Sequence, residues 1–175
     1  ESRDSQQLQR FLSTVKSSAE SLLGILNDIL DFSKIEAGQL QLDYRPFDLR
    51  QLLESIVSVM NVPAVDKGLA LQIVESHNVP SMVIGDDLRI HQILMNLVGN
   101  AIKFTHQGAV TIKAEVDRTR EVVSGKIPIH FSVADTGIGI APEKIAQIFN
   151  SFEQADSSYA RQYGGTGLGL SISKQ

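Results

Sequence analysis

The sequence predicts a two-layer α/β sandwich with one long helix in front of it. Three observations carry that expectation. Short segments alternate apolar and polar residues with the period of a half-buried strand: Leu69, Leu71 and Ile73; Val110, Ile112, Ala114 and Val116; Ile127, Ile129, Phe131 and Val133. Two segments between and before them carry an apolar stripe at helical spacing, as helices covering one face of a sheet require. The first forty residues follow a different rule, a seven-residue apolar repeat with no strand signal. The 175 residues suffice for one core plus an appendage, and 42% hydrophobic with 21% charged residues is the mixture of a globular chain, not a disordered one.

In chain order, Leu8, Val15, Leu22 and Ile29 recur at steps of seven, Leu12, Ala19 and Leu26 fall between them, and Phe11, Ile25 and Phe32 widen the stripe. The pattern predicts a helix from residue 8 to about 36. Its seam suits a hairpin or bundle, with a second copy of the chain as the natural cover. Ala37-Gly38 is a helix-end signal, and a boundary is expected between 38 and 43. Leu40 and Leu42 read as a short strand. Asp48 is placed as an N-cap, with Gln51 three residues on as in a capping box. Leu49, Leu52, Leu53, Ile56, Val57 and Met60 then form an amphipathic helix, and residues 82–84 a short strand.

The segment Asp87 to Thr105 is a helix with two readable faces. Ile90, Leu94, Leu97, Ala101 and Phe104 lie on the face expected in the core. Gln92, Asn96, Asn100 and Lys103 form a polar stripe. Asn disfavours helix interiors and Gly99 costs about 1 kcal/mol relative to Ala, so a merely solvated face would be built otherwise. The strands 110–116 and 127–133, joined by a polar loop, predict an antiparallel hairpin.

Two glycine-rich stretches complete the chemistry. Asp135-Thr136-Gly137-Ile138-Gly139-Ile140 ends a strand with a carboxylate beside side-chain-free backbone, followed by Pro142 at a helix N1 position. The carboxylate can accept from an exocyclic amine, and glycine lets a flat ring reach the backbone; a plain turn with an Asx contact is the competing reading. Gly164-Gly165-Thr166-Gly167-Leu168-Gly169 precedes a helix start at Leu170. Its N–H groups can close on an anion, although neither a P-loop nor a dinucleotide fingerprint is present. Residues 149–163, with Phe149 and Phe152 as anchors, read as a lid. Amide oxygens suit Mg²⁺, and Lys103 offers phosphate a point charge, so the set reads as an ATP·Mg²⁺ site.

The other bulk properties narrow the classes. A net charge of −4 without a Lys/Arg cluster argues against nucleic acid. The absence of Cys removes disulfides, thiolate chemistry and Cys-bound metal. No apolar run approaches a membrane span, so no membrane contact by this segment is expected.

In these motifs the chain resembles the catalytic, ATP-binding domain of sensor histidine kinases of the hybrid type. Residues 96–105 (Asn-Leu-Val-Gly-Asn-Ala-Ile-Lys-Phe-Thr) are similar to the family's N box, 135–140 to its G1 box, 148–152 to its F box, and 164–170 to its G2 box. Residues 27–38 resemble the end of the second dimerisation helix. The resemblance implies a Bergerat-type ATP-binding fold with a mixed, mostly antiparallel sheet. It divides the chain into the second helix of the dimerisation and histidine-phosphotransfer domain (1–38) and a C-terminally incomplete catalytic domain (39–175). It implies that Asn100 coordinates Mg²⁺, that Asn96 and Lys103 face the phosphates as the catalytic pair, and that Phe104 lies near the adenine. Asp135 would bind the adenine amino group, with Gly137, Ile138 and Gly139 beside the nucleotide. Gly165, Thr166, Gly167, Leu168 and Gly169 would close on the phosphates.

The implied reaction is transfer of the γ-phosphoryl group of ATP to a His, by a homodimer working with a receiver domain, in a cytoplasmic segment compatible with a membrane-anchored parent. No phosphoacceptor is expected here: His77, His91, His106 and His130 lack the family's acceptor context. Gyrase- and chaperone-like ATPases of the wider fold family carry a Glu base where this chain has Asn96, and an amide cannot take a proton from water. A degenerate scaffold regulating a partner kinase is the non-enzymatic alternative.

Overall fold

The structure, a computed structural model, describes residues 2–76, 78–120, 125–150 and 169–174, without the side chains of residues 2–6, 10, 17, 20, 21 and 28. Helix α1 spans Ser2–Glu36, beginning earlier than the heptads required. It ends on a glycine turn, with Gly38 at φ +63° and its N–H donating to the Ile35 carbonyl at 2.9 Å. The strand expected around Leu40 and Leu42 is not formed. β1 is Arg45–Asp48 instead, paired antiparallel with β3, Met82–Gly85. Residues 39–44 have no strand partner among the described residues, and alternation alone makes no strand without one. Pro46 is tolerated because, among the described residues, this sheet has two strands and β1 is one of its edges.

Asp48 closes β1 and opens α2, Leu49–Asp66, accepting the Gln51 N–H at 3.0 Å. The Gln51 amide reaches back to the Asp48 carboxylate (3.5 Å) rather than to the backbone of the cap, so the box is half-formed. α2 leads through Lys67 and Gly68 (φ +68°) into β2, Ala70–Glu75. α3 spans Asp87–Phe104, capped by Asp86. β4, Ala109–Val116, and β5, Ile129–Asp135, form the predicted hairpin, with Val110 opposite Asp135 and Val116 opposite Ile129. Ile127 falls outside the strand and is exposed. A single 3-10 turn follows at Pro142–Lys144, and α4 spans Gly169–Lys174.

The larger sheet has the order β2-β4-β5, with β2 parallel and β5 antiparallel to the central β4. Two of the three strand pairings in the described residues are thus antiparallel, as expected of the fold, but they divide between two sheets. β4 buries Val110, Ile112 and Ala114 against Leu49, Leu52, Leu53 and Ile56 of α2 and Leu94, Val98, Ala101 and Ile102 of α3. The core face of α3 is therefore rotated from the expected one. Val98 and Ile102 are buried where Leu97 and Phe104 were expected, leaving Leu97 and Phe104 half-buried. Both stripes satisfy a 3.6-residue period, and only packing against α2 and β4 chooses between them.

Candidate nucleotide site

The polar stripe of α3 divides into three parts. At its start, Arg89 donates to Asp31 of α1 (2.6 Å) and to Gln92 (2.7 Å), and Gln92 donates to the same Asp31 oxygen (2.9 Å). Gln92 therefore belongs to a junction with the long helix. Burial pushes the Asp31 carboxyl up, but the hydrogen bonds from Arg89 and Gln92 and the charges of Arg89 and Lys34 outweigh it and leave it below the usual carboxylate value. The bond to Asp31 holds the Arg89 guanidinium above its ordinary value. This junction was not foreseen; an Asp and an Arg on separate amphipathic helices give no local signal of pairing.

In the middle, Asn100 Nδ2 donates to Asn96 Oδ1 at 3.3 Å, and Asn96 Nδ2 donates to Ser173 Oγ of α4 at 3.3 Å. Ser173 in turn donates to the Gly169 carbonyl at 2.9 Å. Gly169 sits so close that a Cβ there would run into the Asn96 amide. The last glycine of the predicted phosphate loop is thus seated on the predicted phosphate-facing amide. A small cavity between α3 and α4, lined by Gln92, Ile93, Asn96, Gly169, Ile172 and Ser173, opens beside it. Gly165, Thr166, Gly167 and Leu168, together with Phe152 and nearly all of the predicted lid, lie outside the described residues. Phe149 is not the buried anchor expected: its ring is exposed, with Lys174 Nζ 5.7 Å from its centroid.

At the far end, Lys103 Nζ lies 5.0 Å from the centroid of the Phe104 ring, and burial pushes the ammonium's pKa down. The Asp135 turn is fastened here. Ile138 N–H donates to the Phe104 carbonyl (3.4 Å), and Thr136 bridges the Gln107 carbonyl and the Ala109 N–H (3.0 and 3.1 Å). A Cβ at Gly137 would stand 2.5 Å from the Phe104 carbonyl, so only glycine lets the turn pass. Asp135 is exposed and accepts the Gly137 N–H at 2.8 Å. The Asx contact and the strand-end carboxylate therefore coexist. Gly139, at φ +69°, and Ile138 are also exposed.

Both groups of expected site residues thus hang on α3, Asn96 to Phe104 being about 12 Å of helix. The donor set fits Mg²⁺ with few protein ligands. No cluster of His, Asp or Glu among the described residues could hold a metal. The Asn100–Asn96 bond uses the Asn100 amide nitrogen and not its oxygen, and an amide oxygen is a donor atom that hard cations accept. Among the described residues no helix is long and apolar enough to cross a membrane.

Comparison with known proteins agrees with this geometry. The family model for the histidine kinase-, DNA gyrase B- and HSP90-like ATPase matches residues 85–175, and that for the His Kinase A (phospho-acceptor) domain matches 1–38. The sensor histidine kinase GacS of Pseudomonas protegens is 47% identical over 94% of this chain, and the signal transduction histidine-protein kinase BarA of Escherichia coli is likewise 47% identical over 94%. The chain spans only 18% of the length of either. Among solved structures, full-length ShkA in complex with AMPPNP aligns at a TM-score of 0.75 with 34% identity, covering 94% of this chain and 32% of that one. The Acinetobacter baumannii histidine kinase AdeS aligns at 0.68 with 25% identity, covering 93% and 69%. The chain therefore belongs to the histidine kinase-, DNA gyrase B- and HSP90-like ATPase family, in its sensor histidine kinase branch.

Proposed function

We propose that this chain binds ATP·Mg²⁺ and transfers its γ-phosphoryl group to a His on an acceptor helix, as the catalytic part of a two-component kinase. The observation that carries this reading is the seating of Gly169 on the Asn96–Asn100 amide pair, which joins the glycine-rich stretch to the polar face of α3. In this assignment Asn100 holds the metal, Asn96 and Lys103 face the phosphates, and Phe104 with Asp135, Gly137, Ile138 and Gly139 surrounds the adenine. Gly165, Thr166, Gly167, Leu168 and Gly169 close on the phosphates.

Bound Mg²⁺ would neutralise phosphate charge. The protein's own residues position the nucleotide and exclude water, which is most of what phosphoryl transfer asks of an enzyme. The low-pKa tendency of Lys103 reverses when a triphosphate arrives beside it. An amide at position 96 cannot act as a base toward water, which favours transfer over hydrolysis. The His Kinase A match at 1–38 supports assigning α1 to a dimerisation unit divided from the catalytic unit near residue 38. The apolar seam of α1 supports a homodimer, and the resemblance to hybrid-type kinases supports a receiver domain as partner. A cytoplasmic segment is the matching location.

The test mixes the chain with ATP·Mg²⁺ and a separately prepared acceptor-helix segment carrying a His. Phosphohistidine formation that is lost in Asn100→Ala supports the kinase reading. ATP binding without transfer to any acceptor would replace it with a scaffold. Asp135→Asn should weaken adenine recognition; unchanged affinity in a calorimetric titration removes that assignment.

A further inference from the structure

The C-terminal turn of α3 leaves four carbonyls without helical donors, as every helix does. Here each has a partner. Ala101 O takes the Thr105 N–H (3.0 Å) and hydroxyl (2.7 Å), and Phe104 O takes Ile138 N–H. Ile102 O and Lys103 O are both taken by one ammonium, that of Lys67, at 2.9 and 2.8 Å. Lys67 itself terminates α2. Its backbone N–H donates to Ala64 O, and Gly68 at φ +68° turns the chain away. The end of one helix thus supplies the cap of the next, and a cation stands at the negative end of the α3 dipole.

We propose that Lys67 is a positioning residue for the nucleotide site. Its two bonds hold the peptide units on either side of Lys103, immediately before the Phe104 carbonyl that anchors the Asp135–Ile138 turn. Without the ammonium, the carbonyls of 102 and 103 seek water by fraying the last turn. That moves the acceptor of the 3.4 Å Ile138 bond and the backbone against which Gly137 is packed. The inference rests on the ATP reading, since the site being positioned is the adenine end of that site.

The test compares the chain with Lys67→Met and Lys67→Arg by calorimetric titration with the non-hydrolysable ATP analogue AMPPNP with Mg²⁺, and with adenosine alone, well below each variant's melting temperature. Losing the net contribution of one to two hydrogen bonds should weaken binding of both ligands about tenfold in Lys67→Met, with most of it recovered in Lys67→Arg. A lowered melting temperature with unchanged affinities would overturn the proposal and leave Lys67 a structural residue only. If Lys67→Met does not fold, Lys67→Gln with amide exchange at Ile138 replaces it. Faster exchange there but not at Leu53 supports the proposal, and equal exchange at both sites overturns it. Failure of the unsubstituted chain to bind AMPPNP would instead remove the ATP reading itself.

Discussion

α1 and α3 are both amphipathic helices, yet they do opposite things with their apolar residues. α3 buries Leu94 and Val98 to 1% and 0% exposure against α2 and β4. α1 leaves Phe11, Leu12 and Val15 about as exposed as surface residues, at 61%, 60% and 65%, and none of its described side chains belongs to the core. Amphipathic spacing therefore says that a face needs cover, but not where the cover comes from. For α3 it comes from the same chain. For α1 no such cover stands among the described residues, and the proposed homodimer would supply it.

The sharpest way to break this contrast is a matched pair of truncations. Leu94→Ala should destabilise the domain by about 3 kcal/mol in denaturant titration, because a fully packed side chain leaves a cavity. Leu12→Ala should change that unfolding free energy by less than about 0.5 kcal/mol and weaken self-association in sedimentation instead. Equal destabilisation by both would mean that the α1 seam is packed within the monomer.

Two smaller effects sharpen the α2/α3 side. Asp48→Ala removes the α2 N-cap and should cost about 1 kcal/mol. Thr105→Val deletes a buried hydroxyl that bonds Ala101 O; it too should cost about 1 kcal/mol, slightly less if the shape match holds.

The smallest effect concerns the polar junction by which α1 meets α3. Asp31 has a lowered pKa in the folded chain, so its contribution is fully present above the unfolded carboxylate value of about 3.9 and is lost only as pH falls through the lower folded value. The distance between labels on α1 and α2 should therefore stay constant from about pH 8 to pH 5 and change below about pH 4. Asp31→Asn should abolish that acid step, and a transition near neutrality would implicate a different group.

Much of this architecture was legible because period and punctuation agreed. Gly38, Asp48, the hairpin of β4 and β5 and the extent of α3 all follow from local rules. What failed did so where two solutions were locally equivalent. Val98 and Leu97 both fit a helical stripe, and Leu40 with Leu42 alternate as well as any short strand. Lys67, Arg89 and Asp31 were missed for another reason: their partners lie 35 to 58 residues away in the chain, and nothing in a lysine followed by glycine names the helix it will cap. The candidate site was readable because Asn and Gly are costly where they stand, and Thr136, which ties the Asp135 turn to the start of β4, was hidden because a threonine in a turn is not.

The placement of β4 between its neighbours also bears on the order of assembly. Val116 and Ile129 face each other across one loop, whereas Ala70 faces Ala109 only after β3 and all of α3 have been threaded between them. Closing the longer loop costs more chain entropy before any contact rewards it. The hairpin should therefore nucleate first, with β2 joining once α3 is in place, so substitutions at the β4–β5 turn should slow folding while those in β2 mainly speed unfolding.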